Sequence, residues 1–334
     1  MNKYIRLTMA DREEISRGLA AGWTYSHIAH NINRPASTVS REVKSNCKYK
    51  RCYRAATADQ RARDSRHGQK QPKKLEENVW LRDYVLEKLR LKWSPEEIAK
   101  RLKTDYATDM TMRASYETIY AYLYCLPRGS LKKELLKCLR QERRFRHNRK
   151  AVHAKRSTIT DFLSISERPE EVKDRIIPGH WEGDLVMGSK KSNTALGTLV
   201  ERTTRYLLLV PLTAHDALTV RTEFAKALKY IPKFLKKSLT YDRGTEMTQH
   251  KLFTQNTKIQ VYFADPHSPW QRGTNENTNG LIRQYFPKGI DFRTISRREI
   301  RLVQDQMNDR PRKALQYLKP DEAFSQLLIN PNLR

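Results

Sequence analysis

The chain has 334 residues, with 65 Lys and Arg against 37 Asp and Glu and a formal net charge of +28. That length exceeds one small domain and leaves room for two or three. The charge calls for a polyanionic partner, nucleic acid before any other. Both halves are cationic, 38 basic to 21 acidic residues in 1–172 and 27 to 16 in 173–334. The four cysteines (Cys47, Cys52, Cys125, Cys138) lack paired CxxC spacing and no His pair completes a zinc set, so they read as reduced thiols. No stretch approaches the length of an apolar membrane span and the first residues form no apolar signal region, so a soluble cytoplasmic protein is expected.

Thr8, followed three residues later by Asp11, forms a capping-box pattern for a first helix, with Ile15 and Leu19 on one face and Gly22 at its end. A short second helix from Thr24 carries Ile28 and Ile32. After Asn33-Arg34-Pro35, a third holds Val39 and Val43 on its inner face. Three short helices with a tight middle turn match a helix-turn-helix unit. Ser37, Thr38, Ser40, Arg41 and Lys44 face outward on the third helix, with chemistry suited to base edges and phosphates. The basic run that follows, with Arg51, Arg61, Arg63 and Arg66, reads as an arm along the phosphate backbone and completes a domain over 1–66.

A polar linker, 69–74, leads into a second helical set that fills a domain over 67–128. Trp80 to Leu91 is amphipathic, Ser94-Pro95 starts a helix with Pro at its first position, and Ser115 caps another. The pattern suggests a second helix-turn-helix with Arg113, Ser115, Tyr116 and Thr118 nearest DNA; Tyr120, Tyr122 and Tyr124 read as packing residues. Residues 129–172 form a basic helical connector ending in acidic residues from Glu167 to Glu171.

From 173 to 334 the pattern changes to three short apolar strands, a helix from Asp216 to Tyr230, a strand ending at Asp242, a helix from Thr248, a strand over 260–264 and a helical, basic tail. This order predicts a mixed five-stranded sheet, an α/β domain behind all-α ones. Three carboxylates stand out. Asp184 interrupts a strand, Asp242 ends one, and Glu276 opens a helix with Leu281, Ile282 and Tyr285 on one face. Each alone reads equally as a cap, a turn residue or a salt-bridge partner. Together they can converge on one sheet edge. Converging carboxylates repel one another unless cations neutralise them, and hard oxygen donors favour Mg²⁺ or Mn²⁺. Two such ions suit phosphoryl transfer. Glu182 lies on the face of Asp184, and Glu246 reads as structural.

The motifs Gly-His-Trp-Glu-Gly-Asp-Leu (179–185), Leu-Val-Glu-Arg-Thr-Thr-Arg-Tyr (199–206), Tyr-Asp-Arg-Gly-Thr-Glu (241–246) and Pro-His-Ser-Pro-Trp-Gln-Arg-Gly (266–273), with 33 residues between Asp242 and Glu276, closely resemble bacterial insertion-sequence transposases of the IS-thirty type. The resemblance covers nearly the whole chain. It implies an RNase H-like core of the retroviral-integrase kind, with Asp184, Asp242 and Glu276 as catalytic and metal-binding triad for two Mg²⁺ or Mn²⁺ ions. It further implies binding to terminal inverted repeats and target DNA, metal-dependent strand cleavage and strand transfer, a homodimer or higher oligomer at synapsis, and a place at the bacterial nucleoid. Arg283, two helical turns after Glu276, is expected to hold a phosphate. His267, Asn275 and Lys288 are expected near the scissile strand. A DNA-binding repressor and a nuclease that cuts without joining are the alternatives.

Overall fold

The computed structural model describes residues 6–47, 49–68, 73–139, 159, 161–172, 174–189, 191–266 and 268–329. Two compact units make up the chain, Met1–Lys73 and Lys74–Arg334.

In the first unit, α1 (Met9–Ala20) starts at the expected capping box of Thr8 and Asp11. α2 (Tyr25–Asn31) is capped by Thr24, and α3 (Ala36–Asn46) follows Pro35, which supplies no side-chain cap. Ile15, Ile28, Val39 and Val43 close the core. The basic arm is a correction. Residues after a short turn form α4 (Ala55–Gly68), which packs back on α1. The reason is Arg12, buried to 5% exposure, whose guanidinium needs anions from both sides. Glu42 meets it at 2.8 Å and Asp59, from α4, at 2.9 Å.

The second unit opens with α5 (Lys73–Glu77), α6 (Val79–Arg90), α7 (Pro95–Asp105), α8 (Tyr116–Cys125) and α9 (Ser130–Cys138). Ser94 and Glu97 make a capping box on α7, and Ser115 caps α8, as the sequence predicts. Most of the basic connector, 140–158, lies outside the described residues. Its end reaches the sheet, where Ser164 bridges Phe263.

The sheet has the order β3-β2-β1-β4-β5, from β1 (His180–Met187), β2 (Ala195–Glu201), β3 (Leu207–Leu212), β4 (Ser238–Tyr241) and β5 (Gln260–Phe263). β1, β2 and β3 form an antiparallel meander, while β4 and β5 add in parallel through α10 (Ala217–Leu228) and α11 (His250–Thr257). Trp181, Leu239, Phe224 and Phe253 belong to the core on one face. The other face takes Val186 and Leu196 with Leu281 and Ile282 of α12 (Gly273–Ile282), and Ile300 and Met307 of α13 (Arg297–Asp309). α14 (Pro320–Ile329) completes the tail. This mixed sheet with helices on both faces is the α/β core expected from the sequence.

The early helices of this unit are fastened to that tail. Arg310, 1% exposed, pairs with Glu97 at 3.0 Å and donates to Gln284 Oε1 at 2.8 Å. Arg101 makes a two-pronged contact with Glu322, and Tyr317 donates its hydroxyl to Glu96 at 2.6 Å.

Close packing at β2 yields a test of this core. A Cβ at Gly197 would stand 2.3 Å from Phe224 Cε1, in a ring with no exposure. Gly197→Ala is expected to destabilise the second unit by about 1–3 kcal/mol, read as a lower urea midpoint at unchanged slope.

Candidate active site

The register of β1 against β4 places two of the three predicted acids. His180 pairs with Ser238 and Glu182 with Thr240, so the same register two residues further on sets Asp184 opposite Asp242, just past the end of β4. Asp184 lies inside β1, where Val186 and Glu182 share its side of the pleat toward α12.

Arg272, at the start of α12, joins the two acids. Its Nη2 donates to Asp242 Oδ2 at 3.2 Å, its Nη1 stands 3.5 Å from Asp184 Oδ1, and Nη1 also donates to the Gly183 carbonyl at 3.3 Å. Asn279 Nδ2 donates to the other oxygen of Asp184 at 2.9 Å. Burial pushes the Asp184 carboxyl above its usual range; Arg272 opposes that push and Asp242 adds to it. For Arg272, burial acts to lower the pKa, but Asp242 and Asp184 outweigh it and hold the guanidinium above its ordinary value. The cluster is a pair of like charges made tolerable by one cation.

Glu276 sits one turn after Arg272 on α12 and is exposed. Among the described residues no group of three or more His, Cys, Asp or Glu lies close enough together to hold a metal ion, so the structure gathers Asp184 and Asp242 but not Glu276 with them. Glu246 is nearer. Burial raises its carboxyl pKa, and Asp242 and Asp184 raise it further.

The other expected contacts divide. Asn275 is fully buried; its amide oxygen accepts from Thr198 at 3.0 Å and its backbone N–H donates to Glu182 at 2.9 Å, so it fixes α12 and does not reach a DNA strand. Glu182, also fully buried, pairs with Arg202 at 3.1 Å. Arg283 donates to the Met187 carbonyl at 2.9 Å and to the carbonyls of Phe286 and Pro287 at 3.5 Å, which commits its guanidinium to the backbone. Lys288 is exposed on the turn after α12, and His267 lies outside the described residues.

On α3, Ser37, Arg41 and Lys44 are exposed and Thr38 and Ser40 half-buried, with Arg41 donating to the Ser37 carbonyl at 3.2 Å; Arg51 is exposed beyond it. On the second helical set Arg113 is a correction. It donates to the carbonyls of Leu102 and Ala107 at 3.1 and 2.7 Å, closing the end of α7 and not facing a ligand. Ser115 and Thr118 bond each other at 2.9 Å as the cap of α8, and Tyr116 is exposed. The tyrosines divide: Tyr122 packs inside as expected, while Tyr120 and Tyr124 stack on each other at the surface, 37% and 61% exposed.

Arg272 and Asn279 are the site residues that sequence reasoning passed over, and Glu246 is one it read as structural. The first two carried a signal, since 272, 276, 279 and 283 recur at helical spacing on one face. Glu246 carried none until the chain reversal after Gly244 brought it back.

A family model described as Integrase core domain matches residues 175–269, and one described as Helix-turn-helix domain matches 3–46. The chain is 44% identical over 319 residues to transposase InsI for insertion sequence element IS30A of Escherichia coli (strain K12), spanning 95% of this chain and 82% of that protein. It is 40% identical over 333 residues to the transposase for insertion sequence element IS1086 of Cupriavidus metallidurans, spanning 99% and 98%. The catalytic core domain of BIV integrase aligns with 46% of the chain at 16% identity and a TM-score of 0.36, over 97% of its own length. A helix-turn-helix unit joined to an integrase-type core defines a DNA-recombining class of protein. The chain belongs to the IS30 family of insertion-sequence transposases.

The bridging guanidinium has a measurable consequence. Arg272→Ala leaves two acids facing each other and is expected to cost about 1–2 kcal/mol in metal-free buffer, given that Asp242 is partly solvated. Adding Asp184→Asn to that variant should recover most of the loss, and a double-mutant cycle by chemical denaturation reads the coupling.

Proposed function

We propose that this chain is a DDE transposase that recognises the terminal inverted repeats of its element through its helix-turn-helix units. In this reading it cuts a strand at the element end and transfers the freed 3′-hydroxyl to a target phosphodiester. The observation that carries the chemistry is the Asp184–Arg272–Asp242 cluster, where β4 ends beside the middle of β1. Membership of a transposase family supports the reaction class.

The donor set suits a hard divalent cation. The two aspartates already share one positive group at 3.2 and 3.5 Å, and the ligands they offer are oxygens. Asp184, Asp242 and Glu276 would hold Mg²⁺ or Mn²⁺, two ions in the full site. Bound there, such ions supply charge to the attacking and leaving oxygens of an in-line displacement.

The chain's own groups do the positioning. Asn279 fixes the rotamer of Asp184, and Gly244 N–H holds Asp242 at 3.3 Å. Water attacks the phosphodiester at the element end and releases a 3′-hydroxyl; that hydroxyl then attacks a target phosphodiester and displaces the 3′-oxygen there. No side chain is called on as a covalent nucleophile. Because two element ends must meet, the working form is a homodimer or larger.

The acids are separable by experiment on the full chain. Asp184→Asn and Asp242→Asn should each lower strand cleavage and strand transfer on labelled end DNA by at least about 10²-fold while end binding in a gel shift persists. Glu276→Gln should match them, and Glu246→Gln should retain activity. Normal cutting by Glu276→Gln with loss in Glu246→Gln would make Glu246 the third acid. Cleavage without joining in the unaltered protein would leave a nuclease instead.

A further inference from the structure

Behind the acids, α12 borders a cavity of about 510 Å³ that the reaction does not use. At 100° per residue, Arg272, Glu276, Asn279 and Arg283 fall on one side of this helix. Gly273, Asn277, Thr278 and Leu281 fall on the other side, and these line the cavity. Its remaining wall carries Arg175, Arg205, Arg312 and Lys313, with Glu97 the one carboxylate. That acid is already engaged by Arg310 at 3.0 Å and Lys313 by Glu96 at 3.1 Å, so the excess of positive charge along the wall rests on its three arginines.

Three further observations bear on what the charge is for. Arg175 and Arg205 both hold left-handed backbone, at φ 56° and 62°, a cost that non-glycine residues sustain where surrounding structure demands it. Burial lowers the Arg205 pKa, and the next largest cause is the neighbouring Arg175, a repulsion that Glu182 and Glu201 oppose without reversing the shift. A Cβ added at Gly273 would meet nothing within 4 Å, which leaves the helix end open to the cavity. Fold stability gains nothing from clustered like charges, and an anion would relieve them.

We infer that this cavity is a second DNA-contact site, which takes a backbone phosphodiester on the face of α12 opposite the acids. Its guanidinium and ammonium groups supply the charge-assisted donors that phosphate oxygens accept, and the Asn277 amide adds a neutral one. The phosphate bound there lies the width of a helix, about 10 Å, from the bond being cut. A strand held at two points straddles α12 and cannot slide along it. The inference rests on the reading of this chain as DNA-binding, and it adds a contact that the acids do not require.

The test uses the full chain and a fluorescein-labelled mixed-sequence DNA duplex, titrated at several salt concentrations. Arg175→Gln with Lys313→Gln removes two cavity charges. Lys251→Gln with Lys258→Gln, on and just after α11, removes two exposed charges from the opposite side of the sheet. The cavity variant is expected to bind roughly tenfold more weakly, with the slope of log K against log salt reduced by about 1 or more; the control should lose less than about threefold. Gly273→Leu, which fills the opening without changing charge, should also weaken binding. Melting temperature should hold in the cavity variant, because the Arg175–Arg205 repulsion is gone and the Lys313–Glu96 pair that goes with it is exposed. Equal losses in the two charge variants, an unchanged salt slope, or weaker binding that comes with a lower melting temperature would each overturn the assignment. Failure of the unaltered chain to hold the duplex would instead sink the DNA-binding reading and this site with it.

Discussion

Two aspartates in register on adjacent parallel strands cannot both stay charged at the end of a sheet without a cation between them. That constraint organises the second unit. The β1–β4 pairing sets Asp184 opposite Asp242, and the separation is one that a guanidinium spans. The cation must come from outside the sheet, so α12 has to cross the strand ends with Arg272 at its start and Asn279 two turns on. Its placement is in turn set by buried polar ties. Glu182 takes the Asn275 N–H, Thr198 binds the Asn275 side chain, and Arg283 closes the far end on the Met187 carbonyl. Each of these groups would be costly to bury unpaired, so a shifted helix loses several contacts at once.

The same logic holds the early helices of this unit to its tail. Buried ion pairs add little net stability, but breaking one leaves a stranded charge. Arg310 with Glu97 and Arg101 with Glu322 therefore act as alignment pins between α7 and the α13–α14 tail. Tyr285 adds a hydroxyl donated to the Leu91 carbonyl at 3.1 Å, with the Lys92 ammonium 4.2 Å from its ring centre. Helices α6 to α8 have the pattern of a DNA reader, yet part of their polar surface is spent on this docking and on the Arg113 closure of α7. What α8 leaves exposed is chiefly aromatic: Tyr116, Tyr120 and Tyr124, one turn apart.

The elements were legible in the sequence wherever local chemistry decides them. Capping boxes at Thr8 and Ser94, caps at Thr24, Ser115 and Asp216, and the alternation of short apolar runs all mark elements that form. The errors fall where a distant partner decides. Nothing near Asp59 announces that it answers a buried Arg12, so α4 read as an arm along the phosphate backbone. Arg113, Arg283 and Asn275 looked available because their partners are carbonyls, a hydroxyl and a buried acid supplied by tertiary packing. At the site, Asp184 and Asp242 were legible from strand interruption and strand end. Arg272 stood only as one letter of the 266–273 motif, because its partners, Asp184 and Asp242, come from strands far off in sequence.

Glu276 is best understood through this helix and its two faces. Arg272 and Glu276 are four residues apart on α12, a cation and an anion on one side, and Arg272 occupies the space between the aspartates. While the guanidinium stays there it offsets one of the two aspartate charges, and the negative charge left over keeps the Glu276 carboxylate outward. A stronger cation between Asp184 and Asp242 would displace Arg272, since one site cannot hold both positive groups at short range. The exposed Glu276 and the bridging Arg272 thus share one face of α12, so the charge beside the aspartates bears on both, while Asn275 and Glu182 anchor the helix beneath them.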